Sequence, residues 1–213
     1  MTTRQTTALL LLIVASATLL VACTPRDALP GQIVFTRRDG DVNVLYKANA
    51  SGSGEELLYR NEDATNANIL NPAWVPGGRA VTFTAMRDGT WRQMEIDLAT
   101  HEVKVAEGVP DLVSRPSRAD DLVVERGSVF VTEPDGKRKQ LYYHKNYDGK
   151  FNVGASEASW GPDRKYVIFQ VCTTVRGCRV TIAPTDGSGA VAVTKGTRPA
   201  WIGPILTPAP KDT

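Results

Sequence analysis

Histidine is almost missing. The chain of 213 residues has two, His101 and His144, too far apart to form a paired metal-ligand motif. No Ser-His-Asp order appears, and "GASEAS" lacks the Gly-x-Ser-x-Gly elbow of a hydrolase. No long Lys/Arg run occurs and the formal net charge is only +2, which gives little reason to expect nucleic acid. No window sustains a helical period, so helical bundles are excluded. The acids and amides of "NEDATNAN" (61–68) lack the ordered Asp ladder and terminal Glu of an EF-hand, which leaves an inter-repeat loop. No cofactor or metal is expected. What remains is a chain 42% hydrophobic with nearly balanced charge, enough to bury one ordinary core.

Only one long apolar run exists, and it stands near the start. "MTTRQTT" carries a single cation, Arg4, and no acid; "ALLLLIVASATLLVA" (8–22) follows. This is the layout of a secretory signal peptide, and the run falls short of the roughly 20 apolar residues that span a bilayer. Leu20-Val21-Ala22-Cys23 then resembles the bacterial lipobox. That resemblance implies cleavage before Cys23, diacylation of its sulfur and acylation (commonly palmitate) of its new amine. Two or three acyl chains make a stable anchor. The expected organisation is a lipoprotein signal peptide at 1–22, a lipidated tether at 23–30, a folded domain at 31–204 and a disordered tail at 205–213. The expected location is the extracytoplasmic or periplasmic side of a cell membrane or outer membrane.

Cysteine is scarce too. Beyond Cys23 there are Cys172 and Cys178, in "VIFQVCTTVRGCRVTI". Two β-branched runs flank a short stretch with a glycine, which is a hairpin pattern. Outside a reducing cytosol the two thiols are expected to form a disulfide; no second ligand pair supports a metal site.

The chain repeats itself. The apolar triplets beginning at Ile33, Val81, Leu122 and Val167 are spaced by 48, 41 and 45 residues. Each opens a unit with a glycine turn, an alternating strand, a polar turn and a further strand. Spacing of this length marks a propeller or solenoid. The turns Asp39-Gly40, Asp88-Gly89, Asp135-Gly136 and Asp186-Gly187 supply the positive φ that tight hairpins need. "MRDGTW" (86–91) reads as one of these turns. Val, Ile, Thr, Tyr and Phe dominate the runs, so the fold is all-β. Phe35, Phe83, Phe169, Trp74, Trp160 and Trp201 recur at the repeat period, which marks them as core between repeats.

"NPAWVPGGRAVTFTAMRDG" and "EASWGPDRKYVIFQV" resemble the TolB-type propeller repeat. The matching residues are Pro72, Trp74, Pro76, Gly78, Val81, Phe83, Arg87, Asp88 and Gly89 in one copy, and Trp160, Pro162, Asp163, Val167 and Phe169 in another. A third copy departs, with Arg115 where Trp belongs and a weaker inner turn expected there. The resemblance covers about 31–204 and implies a small propeller of about four blades of antiparallel strands. "PAWIGP" (199–204) is a first strand with no unit after it, and "PGQIVF" (30–35) is a second strand with no first. They are expected to share one blade and close the ring, leaving no open edge; an open ring completed by a partner chain is the alternative. The function implied is a non-enzymatic protein- or ligand-binding module of the cell envelope, with an envelope protein as partner and no small-molecule ligand specified. The alternative is a glycan- or peptide-processing enzyme or receptor. The candidate binding loop is the irregular stretch after the third repeat, carrying Tyr142, Tyr143, His144, Tyr147 and Asp148, since loops on rigid scaffolds collect binding groups.

Overall fold

The computed structural model describes residues 29–63, 66–106, 121–145, 153–161 and 164–203. Among them every regular element is a strand, and the strands form four antiparallel sheets. The first sheet holds β1 (Gln32–Asp39), β2 (Val42–Asn49) and β3 (Glu56–Arg60), with β15 (Thr197–Ile202) added beside β1. The second runs β4 (Ile69–Trp74), β5 (Ala80–Arg87), β6 (Thr90–Asp97), β7 (Val103–Val105). The third runs β10 (Arg138–Tyr142), β9 (Ser128–Thr132), β8 (Leu122–Glu125). The fourth runs β11 (Gly154–Trp160), β12 (Tyr166–Thr173), β13 (Gly177–Pro184), β14 (Val191–Lys195). Four sheets of three or four strands are consistent with a propeller-like fold.

The first and last described strands meet in the first sheet. Gln32 pairs with Ile202, Ile33 with Trp201 and Val34 with Ala200. The strand that opens a repeat without finishing it therefore finishes the sheet that lacks an opening strand. The weak motif around Arg115 lies outside the described residues, and the third sheet has three strands among them.

Alternation of side chains along β1 covers the first sheet on both faces. Val34, with Leu45 and Leu58, packs on Ile69, Trp74, Val81, Phe83, Met94 and Ile96 of the second sheet. Ile33 and Phe35 point the other way, into Ile168, Val180, Ile182 and Val193 of the fourth. The fourth sheet in turn offers Val167, Phe169 and Ala183 to Val129 and Leu141 of the third. The sheets thus pack in the order second, first, fourth, third. Phe35, Phe83 and Phe169 are fully buried between sheets, as their spacing predicts.

A repeated irregularity sits in the opening strands. Asn71, Glu157 and Arg198 have φ of 49°, 53° and 50°, a region that non-glycine residues seldom occupy. Each stands three residues before a tryptophan: Trp74, Trp160 and Trp201. At each the register slips: between Leu70 and Ala73, between Ser156 and Ser159, and beside Arg198 in the β15–β1 pair. Such bulges bend a strand and re-aim the residues that follow. Here they precede indoles whose N–H groups find acceptors: the Ala200 carbonyl at 3.4 Å, Asp121 Oδ1 at 3.3 Å and the Pro30 carbonyl at 2.9 Å, in the same order.

Register also gives every sheet the same two ends. β1 starts where β2 and β15 finish, so Leu29–Gly31 joins at one end. The turns after β1, β5, β8 and β12 lie at the other. Asp88-Gly89 and Arg126-Gly127 are two-residue turns with both φ positive, the conformation whose twist suits a tight hairpin.

Candidate functional site

At the turn end of the third sheet lies a cavity of about 380 Å³. The Arg126-Gly127 turn supplies Arg126; strand alternation aims Ser128 and Phe130 of β9 to one face while Val129 and Val131 face the fourth sheet. Gln140 stands opposite Phe130 on β10, and Tyr143, His144 and Lys145 follow that strand. Glu125 completes the wall but is paired with Arg138 at 3.1 Å.

Close backbone contact holds this end in place. The Ala155 N–H donates to the Gly127 carbonyl at 2.8 Å, and a Cβ on Gly154 would come within 2.6 Å of the Gly127 Cα. Only glycine fits there, and its φ of +96° suits glycine as well. Gly154 is in turn the register partner of Cys172.

The candidate loop is only partly a cavity wall. Tyr143 is exposed and His144 lines the cavity. Tyr142 turns inward instead, its ring 5.4 Å from that of Phe169. Burial pushes the Tyr142 hydroxyl pKa up, so the phenol keeps its proton. It lies 3.2 Å from His144 Nδ1. When Tyr142 donates there, the neutral imidazole carries its hydrogen on Nε2 and offers the cavity a donor rather than a base. The His144 backbone N–H donates to Ser128 Oγ at 3.3 Å. Tyr147 and Asp148 lie outside the described residues, as does Cys23.

Cys172 and Cys178 are directly opposed on β12 and β13, and their sulfurs are joined. The described residues of the "NEDATNAN" loop bond to one another and to the neighbouring turn and strand, Asp63 accepting from the Gly89 N–H and Asn68 from the Asn43 amide. Asn61, buried, donates to the Asn66 and Asn68 carbonyls at 3.1 and 2.9 Å, and Asp63 Oδ1 accepts from the Asn66 N–H at 3.1 Å. It is a brace between β3 and β4. No group of three or more His, Cys, Asp or Glu side chains placed to hold a metal occurs among the described residues. The turn in "MRDGTW" is a hairpin turn, with Arg87 paired to Thr90.

A second polar cluster joins the first sheet to the fourth. Arg37 donates to both carboxylate oxygens of Glu55 at 2.9 and 2.8 Å, to Thr194 Oγ1 at 3.0 Å and to the Lys195 carbonyl. Its guanidinium lies over Tyr46 and Phe35, 4.7 and 5.3 Å from their centroids. The Arg37 bonds, against some desolvation, hold the Glu55 carboxyl below its usual range; Thr194 adds to the effect. Every donor has a neighbour within the protein, so this cluster is a brace.

Of the cavity residues, Tyr143 and His144 were visible as a crowded loop in the sequence. Lys145 stood in the same loop, whereas Glu125, Arg126, Ser128, Phe130 and Gln140 were not singled out. The signal for four of them is alternation around the Arg126-Gly127 turn, which places Ser128 and Phe130 on one face opposite Gln140.

No family model matches the chain, and no curated protein matches its sequence. Solved structures resemble it in part. TolB from Acinetobacter baumannii is 14% identical, with 80% of this chain and 66% of that one covered and a TM-score of 0.27. The tricorn protease is 11% identical, covering 79% and 23%, with a TM-score of 0.33. An oligogalacturonate lyase in complex with manganese is 17% identical, covering 72% and 45%, with a TM-score of 0.28. The chain thus spans less than two thirds of each of these structures. TM-scores this low carry neither a site nor an activity across.

Proposed function

We propose that this chain is a lipid-anchored, extracytoplasmic β-propeller of four blades, its ring closed through the sheet its two ends share, acting as a non-enzymatic binding module of the bacterial cell envelope. Its partner is an envelope protein met at the turn face. The observation that carries this reading is the opposed placement of tether and cavity: Leu29–Gly31 joins at one end of the sheets, while the turns and the Tyr143–His144 cavity lie at the other. A tether of residues 23–30 reaches at most about 29 Å, and an eight-residue strand adds about 26 Å. Acylated at Cys23, the protein would hold its turn face well clear of the bilayer, presented to another protein. A disulfide at Cys172–Cys178 suits the same compartment.

A binding role is favoured over the glycan- or peptide-processing alternative by the Tyr142–His144 pair: when Tyr142 donates to Nδ1, the imidazole offers the cavity a donor where that chemistry needs a base. Two measurements test the reading. Cys23→Ser should release the protein from membranes; retention there would refute the anchor. A photo-crosslinker at Tyr143 in cells should capture one discrete envelope protein, whereas one at Ala99, at the tether end, should not. Equal capture from both ends would remove the turn face as the binding surface.

A further inference from the structure

We infer that the cavity on the third sheet is a binding site for a compact anion, a phosphate or carboxylate group borne on a single ring. The inference rests on the turn face being the binding face and names what one part of it takes. Three observations carry it. The first is the charge balance of the walls. Glu125 is neutralised by Arg138, whereas Arg126 and Lys145 have no ion-pair partner among the described residues. Two cations therefore face the space uncompensated, and a guanidinium forks naturally onto phosphate or carboxylate oxygens.

The second is a buried donor. Ser128 is 4% exposed and lines the cavity. Its Oγ accepts the His144 backbone N–H, and no acceptor for its own proton is found among the described residues. A buried hydroxyl lacking an acceptor favours a ligand that brings one. The Gln140 amide adds a donor, as does His144 Nε2 when Tyr142 donates to its Nδ1.

The third is shape. Phe130 and Tyr143 put aromatic surface beside the cations. At about 380 Å³ the cavity is near the lower end of the range for small-molecule sites. One ring with a charged substituent fits that space.

The test is calorimetric titration of the purified chain with phenyl phosphate, and with inorganic phosphate and phenol as its separate halves. Phenyl phosphate should saturate and bind more tightly than either half. Arg126→Asn should weaken it about tenfold, the size of one charge-assisted contact. Asparagine tolerates the positive φ of that turn, so the fold is kept. Ser128→Ala should weaken binding in the same direction. No saturation by about 10 mM overturns the site, as does binding that neither substitution alters. Crosslinking through Tyr143 is read on the same variants. Capture by the unsubstituted protein while phenyl phosphate fails to bind it removes the anion site and leaves the partner face. Binding of phenyl phosphate with capture lost does the reverse.

Discussion

The first and third sheets share a strand pattern and differ in what their faces meet. The first is covered on both sides, by the second sheet through Val34 and by the fourth through Phe35, and Arg37 braces it further. Among the described residues, the third packs one face on the fourth sheet and turns the other toward a cavity. Burial on two faces leaves a side chain no freedom to serve a ligand. Burial on one face holds the strand while the alternate residues, Ser128 and Phe130, stay available. The same alternation thus yields scaffold in one sheet and a site in the other.

The contrast predicts unequal costs for equal changes. Phe35→Ala should lose about 3–5 kcal/mol in chemical unfolding, the range for emptying a packed aromatic position. Phe130→Ala, on the cavity side, should lose less than half as much and weaken phenyl phosphate instead. Equal losses would mean that the third sheet is packed as tightly as the first.

A smaller effect tests the bulges. Arg198 holds φ of 50°, and its N–H donates to Gln170 Oε1 at 2.8 Å. Glycine keeps that bond without a Cβ penalty, while a β-branched residue keeps it with more strain. Arg198→Val should therefore cost about 1–2 kcal/mol more than Arg198→Gly, measured by thermal unfolding. The same ranking should hold at Asn71 and Glu157. Reversal at all three would show that the bulges carry no strain.

The smallest effect belongs to the brace between the first and fourth sheets. Glu55 is partly exposed, so its pair with Arg37 is worth no more than about 1 kcal/mol. Its folded pKa is lowered, so the contribution is present above the ordinary glutamate value of about 4.3 and fades as pH falls through the folded value. Wild type and Glu55→Gln should differ at pH 7 and converge in acid. A difference that persists in acid would assign the loss to packing of the side chain.

The sheets were more legible than the site for a physical reason. Asp-Gly turns and the Pro-x-Trp openings act through neighbours in sequence, so "NPAW" and "TRPAW" announce strands wherever they stand. The bulges gave little notice: Asn, Glu and Arg share no tendency to positive φ, and two of the three precede a proline. Arg37 looked like any surface cation, because its partners Thr194 and Lys195 lie 157 and 158 residues away. The cavity was half legible, since a crowded loop shows in sequence and a strand face aimed at it does not.

Local chemistry by itself determined that this chain is all-β, where its hairpins turn and that Phe35, Phe83 and Phe169 are buried, because each depends on periodicity and on residues close in sequence. Tertiary structure fixed the register of the strand pairing that the repeats anticipated, Ile33 opposite Trp201, and alone decided that Arg37 bridges two sheets and that Arg126, Ser128 and Lys145 surround one space. Those relations depend on how twisted sheets are set side by side, and no residue encodes that placement separately from the rest of the packing.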